Sequence, residues 1–358
     1  MLEFIKETKT VWERIKETGK HVVLYGMGNG ADKILDWCGA NGVKVSGVFA
    51  SDEFVRGQQF RGFTVEKYDD LIKRLGGDIF IVIAFASERP EVLERFRQLA
   101  SRHETAAPHM SLYPEEETVS LRWLERHESE LRRVYSSLAD DLSRKVFADT
   151  LNYKISGNIG YLFGCATERR ADLEELLQLG SSEVYMDLGA YSGDTVREFL
   201  ELTGGRCEEI IAVEPDRRNF RKLKEWAQQQ DQDIEALQLG IWDCRGELEF
   251  SDSGGRQSTF MEGGRKTVPV DSIDNIAGGR KLTYIKMDVE GAEARAIKGG
   301  GGQIAANRPQ LFIAAYHYDN DIFRLPLLLW QLAPDYRIYL RKHPYVPAWE
   351  LNFICTAG

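Results

Sequence analysis

Three stretches of the chain carry side chains whose types and spacing could do chemistry. The first is Tyr185-Met-Asp-Leu-Gly-Ala-Tyr-Ser-Gly-Asp-Thr195, which strings Asp187, Gly189, Ala190, Tyr191, Gly193 and Asp194 across one turn. The second is Ile-Ala-Val-Glu214-Pro, whose acid lies 27 positions after Asp187. The third is Lys281-Leu-Thr-Tyr-Ile-Lys-Met-Asp288-Val-Glu290-Gly-Ala-Glu293, followed by an apolar run that ends in His317 and Asp319.

The first two stretches describe one half-site for an adenosine-containing cofactor. Glu183 to Leu188 reads as a buried parallel strand, after which the glycines let the backbone turn closely against a ligand before a helix starts near Thr195. Ile210 to Val213 reads as the neighbouring strand, and Glu214 at its end can accept both hydroxyls of a ribose. A dinucleotide fold would place Gly-x-Gly-x-x-Gly here to face a pyrophosphate. This turn opens with Asp187, which repels a pyrophosphate and attracts an ammonium group, so the expected cofactor is S-adenosyl-L-methionine. Downstream, Ile234 to Asp243 reads as a third strand, making Ile241 an apolar wall and Asp243 a polar contact for the adenine.

The third stretch gathers carboxylates at the edge of the sheet where doubly wound folds bind ligands. Methyl transfer asks for in-line positioning and a base for the acceptor hydroxyl. Asp288 is a candidate base or a residue that orients the cofactor, and His317 a second catalytic candidate as base or substrate ligand, while Glu290 and Asp319 are candidates for substrate contact. Glu293 reads equally well as a helix-capping acid, which the helix dipole favours. Asp288, Glu290, His317 and Asp319 are cation-ligand types, but no spacing signature calls for a metal, and none is expected.

Composition excludes several function classes. The chain has 358 residues, 43% hydrophobic and 28% charged, which suits a soluble protein of two domains. A net charge of -10 argues against a dedicated nucleic-acid or anionic-membrane surface. No signal peptide or membrane span is legible, and the five scattered cysteines form no CxxC pair or Cys/His cluster. A cytoplasmic protein acting on a small molecule is expected, with a homo-oligomer left open.

The positioning elements divide into an N-terminal Rossmann-like domain over 1–108, a helical connector over 109–180 and a second α/β domain over 181–358. In the first, residues 1–20 read as an amphipathic helix. His21 to Tyr25, Lys44 to Asp52 and Asp78 to Phe85 read as strands of a parallel sheet. Gly26-x-Gly28-x-x-Ala31 forms its turn and Asp52 follows its second strand, making Gly26, Gly28 and Asp52 a candidate second nucleotide site. The connector carries an apolar stripe through Trp123, Leu124, Leu131, Val134, Leu138 and Leu142, with an irregular piece around 156–164. The chain's last two strands are expected as a hairpin at a sheet edge.

Taken together, Asp187-Leu-Gly-Ala-Tyr-Ser-Gly-Asp, Val-Glu214-Pro, Val270-Asp-Ser-Ile-Asp-Asn and Ile285-Lys-Met-Asp-Val-Glu-Gly-Ala-Glu293 resemble the FkbM family of S-adenosylmethionine-dependent methyltransferases. The resemblance implies a seven-stranded class I methyltransferase sheet and O-methylation, with sugars and polyketides among the acceptors. Tyr25-Gly-Met-Gly-Asn-Gly30 and the segments after it resemble the Rossmann-like domain that precedes some sugar-nucleotide acyltransferases, implying a saccharide or sugar-nucleotide acceptor. The rival classes are an NAD(P)-dependent oxidoreductase working from Gly26, Gly28 and Asp52, and a non-catalytic nucleotide-sensing scaffold.

Overall fold

The computed structural model describes residues 2–113, 117–251, 259–260 and 266–358. The chain divides into two compact units, one of Met1–Arg132, Lys145–Ala166 and Lys342–Glu350, the other of Arg133–Arg144, Thr167–Arg341 and Leu351–Gly358. Helices of the 109–180 segment are thus shared between them. Among the described residues no helix is long and apolar enough to cross a membrane.

The first unit is built on a six-stranded sheet in the order β3-β4-β2-β1-β5-β6. Its strands are β1 (His21–Tyr25), β2 (Val45–Ala50), β3 (Gln59–Phe60), β4 (Phe63–Lys67), β5 (Ile79–Ile83) and β6 (Glu104–Ala106). All pairings are parallel except β3 with β4. That hairpin turns at Arg61 and Gly62, both at positive φ as a two-residue turn requires. Three strand expectations hold here, while two helical ones need correction. Residues 1–20 form a helix only over Val11–Glu17, opened by a Thr10–Glu13 capping box. Upstream, the amides of Lys6 and Glu7 donate to Asn152 Oδ1 at 2.7 and 3.1 Å and so are unavailable to a helix. Conversely, the 156–164 piece is not irregular. Gly157 breaks out at φ +67, and Asn158 caps a new helix, Ile159–Cys165, by accepting from Gly160 N at 2.9 Å.

The second unit holds a seven-stranded sheet in the order β16-β17-β15-β14-β7-β8-β9, as expected. Its strands are β7 (Val184–Leu188), β8 (Glu209–Val213), β9 (Ile234–Leu237), β14 (Tyr284–Met287), β15 (Gln310–Ala314), β16 (Tyr336–Lys342) and β17 (Leu351–Ala357). β7 pairs in parallel with β8 on one side and with β14 on the other, and β17 runs antiparallel to β15. The strand order therefore reverses between β7 and β14, which is where a doubly wound sheet opens a ligand crevice. Between β9 and β14 the chain forms a small sheet from β10 (Gly240–Ile241), β11 (Gly246–Ser251), β12 (Thr259–Phe260) and β13 (Lys266–Asp271), in the order β10-β13-β11-β12. The single strand expected over Ile234 to Asp243 is thus split. Its first half stays in the large sheet and its second pairs with β13.

Tyr185, Phe199 and Tyr284 stack in the core, the Tyr185 ring centroid lying 4.4 Å from Phe199 and 4.8 Å from Tyr284. Arg341, almost fully buried on β16, pairs with Asp140 at 2.6 Å and Asp172 at 3.2 Å, and donates to Ser143 Oγ at 2.9 Å. It ties two helical segments to the sheet. Replacing Arg341 with Met removes the guanidinium from the buried Asp172 and from Asp140, so urea unfolding should show a loss of about 3 to 5 kcal/mol. A loss under about 1 kcal/mol would show that the pair contributes no more than a surface bridge.

Candidate active site

The glycine turn after β7 is fixed from three sides. Gly189 N and Ala190 N both donate to Val213 O at 3.0 Å, tying the turn to the end of β8. Gly189 sits at φ +81, and a Cβ there would lie 1.9 Å from Asp288 O, so only glycine lets the two loops touch. Tyr191 follows at φ +47 with its ring exposed, and Gly193 at φ +88 packs against Trp226. Gly193 then opens the helix Asp194–Leu202. Asp187 anchors the turn from beneath. It is fully buried, accepts from Thr195 Oγ1, and lies 3.2 Å from Lys286 Nζ. Lys286 donates in turn to Gly189 O at 2.8 Å. Burial favours a neutral amine at Lys286, but the charges of Asp187, Asp288 and Asp194 outweigh it and hold its pKa above the ordinary value.

Glu214 projects from the end of β8 beside this turn, 6% exposed. Its Oε2 accepts from Tyr191 N at 2.8 Å and its Oε1 from Asp216 N at 2.9 Å. Burial pushes its carboxyl up to about 7, against the two amide donors, which favour the charged form.

At the ends of the neighbouring strands, the loop after β14 and the segment after β15 gather acids around one imidazole. His317 is buried, with Nδ1 3.0 Å from Glu293 Oε1 and Nε2 3.6 Å from Asp288 Oδ1 and 3.5 Å from Glu290 Oε2. The Nδ1 contact is off the axis of a hydrogen bond, and Glu293 Oε2 has no hydrogen-bond partner among the described residues. Glu293 Oε1 also accepts from Val289 N at 3.0 Å. Asp288 is reached by Tyr316 OH at 3.2 and 3.3 Å. Glu290 sits in the left-handed region at φ +52, a conformation that costs energy outside glycine and recurs where geometry serves function. Its carboxyl is raised above its usual value, first by burial, although His317 opposes the shift.

Asp288, Glu293 and His317 bring ligand-type atoms within 4.8 Å of one another.

The structure gathers most of the residues singled out in the sequence. Asp187, Gly189, Ala190, Tyr191, Gly193 and Asp194 lie on β7 and the turn after it, Glu214 at the end of β8 bonds to that turn, and Asp288, Glu290 and His317 share the acid cluster. Asp187 itself is enclosed with Lys286, so the ammonium it was expected to attract is already supplied from within the protein. Ile241 is buried, while Asp243 is bound to Arg295 at 2.6 Å, which holds its carboxyl below the usual range. Asp319 is 3% exposed. Lys286, Tyr316 and Asp321 were not anticipated. Lys286 carried a readable signal as a lysine inside an otherwise apolar strand. Asp321 looks like any acid in a helix's first turn, yet it is buried beside Glu293, and both burial and that charge raise its carboxyl.

In the first unit, Gly26 and Gly28 both have positive φ and precede the helix Asn29–Ala40. Gly26 is there for packing, since a Cβ would lie 2.4 Å from the Phe85 ring. Gly28 faces open space, with nothing described within 4 Å of a Cβ. Asp52 is exposed and 3.6 Å from Lys67.

Residues 187–347 match the family model described as the methyltransferase FkbM domain. This part of the chain, a little under half of it, is similar in sequence to FkbM methyltransferase domains. Among solved structures, methyltransferase FkbM from Methylobacillus flagellatus KT superposes with a TM-score of 0.72 at 20% identity, covering 98% of this chain and 94% of that one. Its likeness establishes the common fold. A precorrin-6y C5,15-methyltransferase from Geobacter metallireducens GS-15 aligns with a TM-score of 0.34 at 11% identity, over 54% of this chain and 93% of its own. No curated protein shows significant sequence similarity to the chain.

Because Asp187 and Lys286 hold the turn as a buried pair, removing the cation leaves an uncompensated charge. Lys286→Met is expected to cost about 3 to 5 kcal/mol in urea unfolding. Asp187→Asn with Lys286→Met together should recover much of that loss, and additivity of the two would deny that they act as a pair.

Proposed function

We propose that the FkbM domain binds S-adenosyl-L-methionine and methylates a hydroxyl of a saccharide, sugar nucleotide or related small molecule. The observation that carries the reading is Glu214, a buried carboxylate at the end of β8 beside a glycine turn. A carboxylate has about four acceptor sites, and backbone amides take two of them here, leaving acceptors for two ribose hydroxyls. Ile241 supplies an apolar surface for the base, and the Gly189 to Gly193 backbone admits close approach. Asp187 contributes through Lys286, by keeping the turn in place.

The cofactor supplies an electrophilic methyl group on a sulfonium. The protein's share is to hold the acceptor oxygen in line and to take its proton. Asp288 suits the second task. It is a partly exposed carboxylate, steadied by Tyr316 OH, at the tip of β14 and in van der Waals reach of the turn. Glu290 beside it is placed to orient acceptor hydroxyls. In the other unit, the open backbone at Gly28 supports a nucleotide-phosphate contact, which favours a sugar nucleotide as ligand.

Calorimetric titration with S-adenosylhomocysteine tests the cofactor site. Glu214→Ala should weaken binding by about 1 to 3 kcal/mol, and unchanged affinity would remove Glu214 from the ribose role. The carboxylate is the accepting form, so wild-type affinity should be full above pH 7 and decline as pH falls through about 7. Glu214→Gln should flatten that dependence. With an acceptor in hand, Asp288→Asn should lower kcat by about 100-fold or more while sparing S-adenosylhomocysteine affinity, and full turnover would exclude Asp288 as the base.

A further inference from the structure

We propose that Asp288, Glu293 and His317 form a binding site for one divalent metal ion. The use of the ion rests on the reading of this domain as a hydroxyl methyltransferase, while the site itself stands on its ligands.

Two independent observations point to an ion. The first is the donor set, in which one ring nitrogen and two carboxylate oxygens lie within 4.8 Å of one another. Ligands held at about 2.1 Å from one ion are about 3.0 to 3.5 Å apart at neighbouring positions and about 4.2 Å apart across it, so the cluster has only to contract slightly around a cation. The second is what the enclosed side chains lack. His317 is 2% exposed and Glu293 0%, and His317 Nδ1 and Glu293 Oε2 have no hydrogen-bond partner among the described residues. A polar atom buried without a partner costs free energy that an ion or an ordered water removes.

The contacts around the ring are not hydrogen bonds. Glu293 Oε1 is 3.0 Å from Nδ1 but off its axis, and Glu290 Oε2 and Asp288 Oδ1 stand 3.5 and 3.6 Å from Nε2. Carboxylates are therefore gathered at the imidazole without the directed bonds that would explain the gathering. Charge points the same way. Among the described residues neither Asp288 nor Glu293 is paired with a lysine or arginine, and Asp321 lies buried beside Glu293. Acids collected below the surface repel one another, and a divalent cation removes that repulsion.

The donors narrow the ion. One imidazole with carboxylate oxygens suits Mn2+ or Zn2+ better than Ca2+, which prefers an all-oxygen shell. The ring and Glu293 are enclosed and Asp288 is partly exposed, so a further ligand enters on the Asp288 side. A hydroxyl bound to a divalent cation there loses its proton more readily. The proton goes to the Asp288 oxygen that is not on the ion, the acceptor oxygen forms the bond to the methyl carbon, and the electron pair of the methyl–sulfur bond goes to sulfur.

The test is titration of the EDTA-treated full chain with Mn2+ alone, with free Mn2+ followed by electron paramagnetic resonance. One Mn2+ per chain is expected, displaced by Zn2+. His317→Gln and Glu293→Gln should each weaken it by about 10-fold or more. Asp70→Asn, at an exposed acid of the other unit, should leave it unchanged. Should circular dichroism show that the two buried variants do not fold, Asp288→Asn, on the exposed side, carries the same expectation. No binding of Mn2+ or Zn2+ below about 1 mM would overturn the proposal. So would binding that ignores every substitution in the cluster, which would mark adventitious binding to surface acids. A chain that binds Mn2+ at the cluster but not S-adenosylhomocysteine would support the ion site and count against the cofactor reading alone, because the metal is titrated without the cofactor.

Discussion

The buried pair of Asp187 and Lys286 is the interaction on which the rest of the site depends. It joins β7 to β14 at the point where the sheet's strand order reverses, so it spans the gap that a ligand crevice needs. Neither charge is free to face a ligand fully. Lys286 spends one hydrogen bond on Gly189 O, and Asp187 receives one from Thr195 in the helix that follows the turn. Strand, turn and helix start are thereby bound to one cation. An apolar pair of similar volume would be at least as stable. The ion pair gives something an apolar pair does not, namely a directed bond to one backbone carbonyl in a turn made of glycines.

Charge economy explains the rest of the pocket. Glu214, Asp288, Glu290, Glu293, Asp319 and Asp321 all lie at or near one sheet edge, most of them half-buried or buried. So many carboxylates do not stay ionised together at low dielectric without cations. One cation is internal, Lys286 beneath the turn, and the acids around His317 hold its pKa above the ordinary value. The carboxyls of Glu214, Glu290 and Asp321 are all raised, first by burial and then by the acids beside them. A site arranged in this way suits a cationic cofactor better than an anionic one. It is the same reason that Asp187 at the head of the turn argued against a pyrophosphate.

The sequence disclosed the residues that sit where backbone and function coincide. Asp187, Gly189 and Gly193 could be read because an apolar run meets a glycine turn there, and Glu214 because an acid ends the next apolar run. Single strands such as Val184 to Leu188 were legible for the same reason, while the seven-stranded sheet was expected from the resemblance to a known family. What stayed hidden depends on side chains meeting across distant segments. Nothing near Lys286 in sequence says that it reaches Asp187, and nothing near Asp321 says that it lies behind His317. Local hydrogen bonds defeated periodicity in two places. Asn152 draws residues 6 and 7 out of a helix, and Asn158 starts one where an irregular piece was expected.

The contact between Gly189 and Asp288 makes the two halves of the site mechanically one. With Asp288 O filling the space of a Cβ, the turn assigned to the cofactor and the loop that carries the acids have no slack between them. A ligand that shifts the turn must move Asp288, and with it the carboxylate facing His317. Positional precision of a few tenths of an ångström is what in-line transfer demands of its enzyme. Here that precision comes from backbone packed on backbone, with Glu290 and Tyr191 held at positive φ on either side of the contact. Both are strained conformations for residues with a Cβ, and such strain persists only where the surrounding structure over-determines it. The glycine at 189 is therefore required less for the freedom of its own φ than for the close approach that couples cofactor turn and acid loop.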